Sequence, residues 1–193
     1  MKYYIELTLI PDADSDLFFL WSKIYNQIHI GLVEMKDEND LVSIAVSFPE
    51  YLRGRFLGSK LRLFAPDEAT LVKFNVTKWL ERLTDYVHCS SIKTVPLDKV
   101  KGYSNYNRCQ PKLNLEQRIK HQAERRKISY DEATAHFKTL PEENELLLPY
   151  ITLQSLTNKE KFSLFICKTS ATTVVSKGFG TYGLSPASTV PEF

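Results

Sequence analysis

The first half of the chain switches between hydrophobic patterns with the period of strands and of helices. Residues 2–9 alternate and are rich in aromatic and β-branched side chains, which predicts a strand. Apolar side chains recur at helical spacing over residues 16–35, among them Trp21, Ile24 and Ile28, which predicts an amphipathic helix. Further strands are predicted over residues 41–48, 61–64 and 87–95, and a second helix over residues 68–83.

The order of these elements is strand–helix–strand–strand–helix–strand. This order is typical of a ferredoxin-like, or split βαβ, fold. After Pro96 the pattern changes, and a polar loop over residues 102–110 leads to a helix. We therefore predict an α+β chain of two domains. The first is a ferredoxin-like domain of residues 1–97, and the second is a smaller α+β domain of residues 98–193.

The second half is predicted to contain two helices followed by short strands. The first helix spans residues 115–127, with Asn114 as its N-cap and Gln117 reaching back to it. A capping box over residues 129–132 begins the second helix, which ends near Lys138. Strands are predicted over residues 150–154, 162–167, 172–175 and 179–184.

The charge is distributed unevenly, although the net charge is only +2. Residues 99–127 contain nine basic and two acidic residues, a formal charge of +7. The rest of the chain has 16 basic and 21 acidic residues, a formal charge of −5. A basic segment on a weakly acidic body is typical of a site for a polyanion, although a solvated basic helix without a partner would have the same composition.

Composition and cysteine usage indicate an intracellular globular protein. The 193 residues include no apolar run of membrane-spanning length and no secretory signal at the N-terminus. Cys89, Cys109 and Cys167 are odd in number and far apart, which favours reduced thiols over a disulfide framework. We therefore expect a cytoplasmic protein that does not act at a membrane.

Two motifs match known ligand-binding patterns only in part. The acidic run over residues 12–16 begins like a calcium-binding EF-hand loop, but Leu17 and Lys23 occupy positions that need Gly and Glu. These carboxylates are expected to belong to a loop and to favour a helix N-terminus. Residues 178–183 match the dinucleotide pattern G-x-G-x-x-G, but too few residues follow for the helix and strand it requires. We interpret this segment as a glycine-rich turn where backbone can approach a ligand.

Candidate RNA-binding side chains lie around the basic segment. Arg108 and Gln110 have the donor patterns that read guanine and adenine. Arg118, His121 and Arg125 share one face of the predicted helix, where they can contact phosphates. Tyr103, Tyr106 and Phe162 could stack on bases, although core packing is the ordinary role of such aromatics.

His29 lies at the edge of the apolar stripe of the first helix. A structural, hydrogen-bonded histidine fits this position as well as a catalytic one does. His88, His121 and His136 are isolated in sequence, so we expect no metal cluster and no cofactor.

These features together resemble the CRISPR-associated repeat-processing endoribonucleases of subtype I-F. The resemblance runs from end to end of the chain. It is carried by segments whose order and spacing match: residues 3–7, 11–12, 28–29, 44–49, 79–80, 108–110, 148–155, 162–166, 178–185 and 190–193.

The resemblance implies cleavage of CRISPR precursor RNA at the 3′ base of the repeat stem-loop. It implies three catalytic residues: His29 as the histidine, Ser155 as the serine and Tyr182 as the tyrosine near the end of the chain. It also implies that the product hairpin stays bound and that the protein is a subunit of a type I-F surveillance complex. The implied RNA-binding residues are Arg108, Gln110, Arg118, Lys120, His121, Arg125, Arg126, Thr157 and Phe162.

RNA supplies its own nucleophile, the 2′-hydroxyl, so this reaction requires no metal. We expect His29 to act as general base and Ser155 to hold the 2′-oxygen. The products would be a 2′,3′-cyclic phosphate and a 5′-hydroxyl. Two alternatives remain: a non-catalytic hairpin-binding subunit of the same fold, and a basic module that docks on an acidic protein.

Overall fold

The computed structural model describes residues 1–52, 56–109, 115–138, 148–155 and 158–193. For residues 115–118, 121 and 135–138 it describes the backbone alone. The strands are β1 (Tyr3–Leu9), β2 (Ala45–Ser47), β3 (Lys60–Ala65), β4 (Val87–Cys89), β5 (Lys93–Thr94), β6 (Gly102–Cys109), β7 (Tyr150–Gln154), β8 (Lys161–Ala171) and β9 (Val190–Glu192). The α-helices are α1 (Leu17–Glu34), α2 (Glu68–Phe74), α3 (Val76–Trp79), α4 (Leu115–Arg126) and α5 (Tyr130–Lys138).

The strands form two antiparallel sheets. The first has the order β2-β3-β1-β4, and β5 also pairs with β1. The second has the order β7-β8-β6-β9. The predicted mixed α+β architecture is therefore confirmed at the level of two sheets with helices.

Helix α1 covers the core and positions the site described below. Asp16 caps its N-terminus, because the side chain accepts a hydrogen bond from the backbone N–H of Phe19 at 2.8 Å. One face is buried at helical spacing, including Leu20, Ile24 and Ile28. The predicted helix and the predicted capping role of this acidic loop are both confirmed.

The chain divides into two compact units, and their boundaries differ from the predicted boundary at residue 97. Residues 1–109 and 148–193 form one unit, and residues 110–147 form the other. The predicted division falls between the strands of the two sheets, and both sheets belong to the first unit.

The second unit contains helices α4 and α5. The predicted capping box is present: the backbone N–H of Ser129 donates to the Glu132 carboxylate at 2.9 Å, and the N–H of Glu132 donates to Ser129 Oγ at 3.2 Å. Ile119 and Ala133 are buried. The predicted cap at Asn114 lies outside the described residues.

Several predicted elements differ from the structure. The predicted helix over 68–83 is broken after Phe74, because Asn75 adopts a left-handed conformation with φ of 47°. The predicted loop over 102–110 is mostly strand β6, where Ser104 and Tyr106 point inward. Buried and more exposed positions alternate in β6, but its Ser and Asn residues conceal this pattern in the sequence. The segments 172–175 and 179–184 are not strands, and β9 was not predicted.

The expectation of reduced thiols is wrong for two of the three cysteines. Cys109 and Cys167 form a disulfide between the neighbouring strands β6 and β8, with Cα atoms 6.0 Å apart. Cys89 is free. A separation of 58 residues in sequence gives no sign of this pairing.

Within the described residues, no helix is both long enough and apolar enough to cross a membrane.

Close packing around Gly31 provides a test of this fold. A β-carbon at Gly31 would lie 2.7 Å from Trp79 Nε1 and 2.8 Å from Phe74 Cε2. Alanine inside a helix is ordinarily better than glycine by about 1 kcal/mol, but overpacking costs about 1–3 kcal/mol. We expect Gly31→Ala to lower the free energy of unfolding by about 1 kcal/mol in urea titrations.

Gly102→Ala is the matched control, because a β-carbon there would meet nothing within 4 Å. We expect it to leave the stability close to that of the wild type. A Gly31→Ala protein as stable as the wild type would contradict the packing of α1 described here.

Candidate active site

His29 lies one residue beyond buried Ile28 on α1 and is half-buried. Its Nδ1 atom is 2.9 Å from the backbone carbonyl oxygen of Thr181, 152 residues away in sequence. The edge of the apolar stripe predicted by the sequence is therefore in contact with the C-terminal turn.

Tyr182 packs directly on His29. The two rings are stacked, with centroids 4.0 Å apart and planes inclined by 14°. The backbone oxygen of Tyr182 accepts a hydrogen bond from the hydroxyl of buried Tyr25 at 2.8 Å. Two residues of α1, Tyr25 and His29, therefore hold two successive peptide units of the turn.

The turn belongs to the glycine-rich motif over residues 178–183. The N–H of Gly183 donates to the carbonyl of Gly180 at 2.7 Å, and the carbonyl of Gly183 accepts from Val46 N–H at 2.9 Å. Gly183 has φ of 68°, and a β-carbon there would lie 2.6 Å from the Val46 side chain. Glycine is required here for both reasons. The motif is thus a turn that places Thr181 and Tyr182.

The contact with Thr181 fixes the tautomer of His29. A carbonyl oxygen only accepts hydrogen bonds, so Nδ1 must carry the hydrogen. In the neutral ring, Nε2 then keeps its lone pair and can accept a proton. Burial lowers the pKa of His29, while the hydrogen bond to Thr181 opposes this shift. The neutral form therefore prevails at pH 7.

His29 opens onto a cavity of about 530 Å³. Ser155 contributes to the wall, and it directly follows strand β7. The hydroxyl of Ser22 on α1 donates to the carbonyl of Thr152 on β7 at 2.5 Å, which ties the helix of His29 to the strand that ends before Ser155. The remaining described wall residues are Val33, Lys36, Asp40, Leu153, Gln154, Phe162, Gly180, Thr181 and Tyr182.

Arg108 and Phe162 lie together beside this cavity. The guanidinium carbon of Arg108 is 5.6 Å from the ring centroid of Phe162, within the range of a cation–π contact. Burial raises the pKa of Tyr182, and the positive charge of Arg108 opposes this shift. Arg108 is exposed at the end of β6, so its remaining donors are accessible to a ligand.

The structure brings together His29, Ser155, Tyr182, Phe162 and Arg108. Lys120, Arg125 and Arg126 are exposed on α4 in the other compact unit. Gln110 and Thr157 lie outside the described residues, as do the side chains of Arg118 and His121.

Sequence reasoning missed three contributors to the site. The Thr181 carbonyl is a backbone group and has no residue-type signal, although the glycines around it marked a turn. Lys36 and Asp40 line the cavity and form an ion pair. The spacing of Lys36 from His29, seven residues on one helical face, was a usable signal.

Fold and site together define the class: an α+β protein with a half-buried histidine in a cavity lined by both polar and apolar side chains, an arrangement suited to proton transfer. Comparison with known proteins identifies the family. Residues 4–193 match the family model described as CRISPR-associated protein (Cas_Csy4). The chain therefore belongs to the Cas_Csy4 family, as the resemblance predicted.

Two relatives from this comparison carry the name CRISPR-associated endonuclease Cas6/Csy4. The Escherichia coli (strain UTI89 / UPEC) protein is 28% identical over 194 residues, and the Pseudomonas aeruginosa (strain UCBPP-PA14) protein is 31% identical over 197 residues. Each alignment covers 100% of both chains. A solved structure titled "An RAMP protein binding different RNA substrates" matches 98% of this chain and 99% of its own at 11% identity, with a TM-score of only 0.36.

The protonation state of His29 is directly measurable. Because burial lowers its pKa, we expect its titration midpoint in ¹H–¹⁵N spectra to lie below 6.5, with Nδ1 protonated in the neutral form. Unfolding in urea should return the midpoint to the ordinary value. Tyr182→Ala should raise the midpoint, since it removes the ring that covers the imidazole. A folded-state midpoint at or above 6.5 would contradict the burial argument.

Proposed function

We propose that this protein is a metal-independent endoribonuclease that cleaves CRISPR precursor RNA at the 3′ base of the repeat stem-loop. The observation that carries this proposal is the anchoring of His29 through Nδ1 at a cavity that Ser155 and Tyr182 also line. RNA brings its own nucleophile, so a positioned base is the main requirement of the reaction.

In the proposed reaction, Nε2 of His29 removes the proton from the 2′-hydroxyl. The 2′-oxygen then attacks the adjacent phosphorus, and the bond from phosphorus to the 5′-oxygen breaks. The leaving oxygen takes up a proton, from the imidazolium or from water, and becomes a 5′-hydroxyl. The other end carries a 2′,3′-cyclic phosphate. General acid–base assistance of this kind supplies about 10²- to 10⁴-fold, which suffices for an enzyme that retains its product.

Ser155 and Tyr182 are proposed as the groups that position the reactants. Ser155 Oγ accepts a 3.4 Å hydrogen bond from the N–H of Asn158, which leaves its own hydrogen available to the 2′-oxygen of RNA. Tyr182 holds the imidazole plane by stacking at 4.0 Å. Correct orientation of the reacting atoms is itself a large catalytic factor.

Recognition of the stem-loop is proposed to combine base reading with phosphate contacts. Arg108 and Gln110 would read base edges, and Phe162 would stack beside the cleavage site. Arg108 is already held against Phe162 in the described structure. The phosphate-binding set would be Arg118, Lys120, His121, Arg125 and Arg126 of α4, and Thr157 is included among the RNA contacts.

We further infer that the product hairpin stays bound and that the protein serves as a subunit of a type I-F surveillance complex in the cytoplasm. Membership in the Cas_Csy4 family supports the link to CRISPR RNA. We also assign residues 1–97 a ferredoxin-like domain, which the antiparallel strand order β2-β3-β1-β4 supports.

His29→Ala tests the catalytic role. We expect cleavage of a repeat hairpin to be lost, because no other group replaces the base, while hairpin affinity stays within about twofold of that of the wild type. Cleavage is measured on gels, and affinity with a substrate that carries a 2′-deoxyribose at the cleavage site. His88→Ala is the control, since His88 is an exposed histidine on β4.

Loss of hairpin binding together with cleavage would make His29 a structural residue. Tight hairpin binding by a wild-type protein that does not cleave would favour the alternative of a non-catalytic RNA-binding subunit.

Arg108→Ala tests base reading. We expect a loss of about 1–3 kcal/mol of binding free energy that is confined to stems with the preferred base pair, because a bidentate arginine contact discriminates by this amount. Arg125→Ala is the control, since a phosphate contact should weaken binding to all stems and flatten its salt dependence. Equal losses across all stem sequences for Arg108→Ala would show a phosphate contact instead.

A further inference from the structure

The wall of the His29 cavity contains an ion pair that the proposed reaction does not use. Lys36 and Asp40 both line the cavity, and Lys36 Nζ lies 2.5 Å from Asp40 Oδ1. Their side chains are 44% and 75% exposed, respectively, so the pair is accessible to solvent. An exposed pair of this kind contributes little to stability.

Lys36 lies on the same side of α1 as His29. His29, Val33 and Lys36 follow one another at intervals of four and three residues, and all three line the cavity. Helix α1 ends at Glu34, and the N–H of Lys36 still donates to the carbonyl of Val33 at 3.5 Å. The rise of a helix separates Lys36 from His29 by about 10 Å along the axis. An RNA strand bound at His29 can therefore bring a second phosphate to Lys36 in the same cavity.

The charge of the cavity wall supports this placement. Among its described residues, Lys36 is the one lysine or arginine, and Asp40 is the one carboxylate. An RNA strand that crosses the cavity brings one negative charge for each phosphate. A phosphate can replace Asp40 as the partner of Lys36, because a weak solvent-exposed pair is easily exchanged.

The contacts around the cavity relate the stem-binding residues to Lys36. Arg108 and Phe162, proposed to hold the stem, contact each other, and the charge of Arg108 acts on Tyr182. Tyr182 stacks on His29, and Lys36 lies seven residues after His29, just beyond the end of α1. If the stem lies 5′ of the cleaved bond, the strand that leaves the stem reaches Lys36 after it passes His29.

A short structured loop holds Asp40 beside Lys36. The Asp37 carboxylate accepts hydrogen bonds from the N–H groups of Asn39 and Leu41, both at 2.9 Å. The N–H of Asp40 donates to the carbonyl of Asp37 at 3.1 Å. The loop therefore holds the Asp40 carboxylate beside Lys36, where the RNA strand that leaves the stem would pass.

We propose that Lys36 binds the phosphate immediately 3′ of the cleaved one, and that Asp40 occupies Lys36 until RNA displaces it. This inference rests on the proposed function. The Lys36 contact would make the affinity for RNA depend on the single-stranded segment that follows the repeat stem, in addition to the stem itself. It also predicts opposite effects for the two partners: loss of Lys36 weakens binding of flanked RNA, and loss of the Asp40 charge strengthens it.

The test compares RNA with and without a 3′ flank. Both RNAs contain the repeat hairpin, one ends at the cleavage site, and the other continues for five nucleotides with a 2′-deoxyribose that blocks cleavage. We expect Lys36→Met to weaken binding of the flanked RNA about fivefold and to lower its salt slope by about 0.7, the value for one single-strand phosphate contact. Affinity for the unflanked hairpin should stay unchanged.

Two further proteins complete the comparison. Asp40→Asn should strengthen binding of the flanked RNA about twofold to fivefold, since Lys36 loses its competitor. Lys23→Met is the matched control, because Lys23 is a lysine of α1 that lies over the ring of Phe19 and does not line this cavity. Its affinity for both RNAs should equal that of the wild type.

The affinity for flanked RNA is then measured with a neutral methylphosphonate in place of the phosphate 3′ of the cleavage site. This replacement should weaken binding by the wild type and leave the affinity of the Lys36→Met protein unchanged. Equal weakening in both proteins, with hairpin binding and cleavage intact, would overturn this inference alone. Failure of the wild type to bind the unflanked hairpin would overturn the proposed function and this inference with it.

Discussion

The site depends on one long-range contact, the hydrogen bond from His29 Nδ1 to the carbonyl of Thr181. It joins α1 to a turn 152 residues later and fixes which imidazole nitrogen can accept a proton. The ring of Tyr182 and the hydroxyl of Tyr25 hold the same turn in place. Gly183 permits the turn, because its backbone has φ of 68° and its surroundings leave no room for a β-carbon. Without this contact, His29 would be one polar residue at the edge of an apolar helix face.

The two sheets serve this contact in different ways. The first sheet supports α1 through the buried face of the helix, and Val46 on its edge strand β2 donates its N–H to the carbonyl of Gly183. The second sheet brings the end of β7, with Ser155, and the end of β6, with Arg108, to the same cavity region. Partial burial then has a chemical consequence, since it keeps the imidazole neutral and therefore able to act as a base. Packing and reactivity are thus set by the same contacts.

Local patterns were sufficient to predict much of the fold. The periodicity of α1, the cap at Asp16 and the capping box at Ser129 are encoded within a few residues, and the structure contains all three. The Ser and Asn residues of β6 concealed its alternating pattern, and a sequence separation of 58 residues concealed the Cys109–Cys167 disulfide. His29 was a candidate from sequence, but its partner is a backbone carbonyl, which no residue type reveals. The Lys36–Asp40 pair was overlooked, although Lys36 follows His29 by seven residues, a spacing that places two residues on one side of a helix.

In the proposed reaction, His29 activates a hydroxyl that belongs to the RNA. The direct test is cleavage of a repeat hairpin in EDTA, compared with the same hairpin containing a single 2′-deoxyribose at the cleavage site. We expect cleavage of the all-ribose RNA alone, with a 2′,3′-cyclic phosphate on one product and a 5′-hydroxyl on the other. Cleavage of both RNAs, or a requirement for a divalent metal ion, would contradict it.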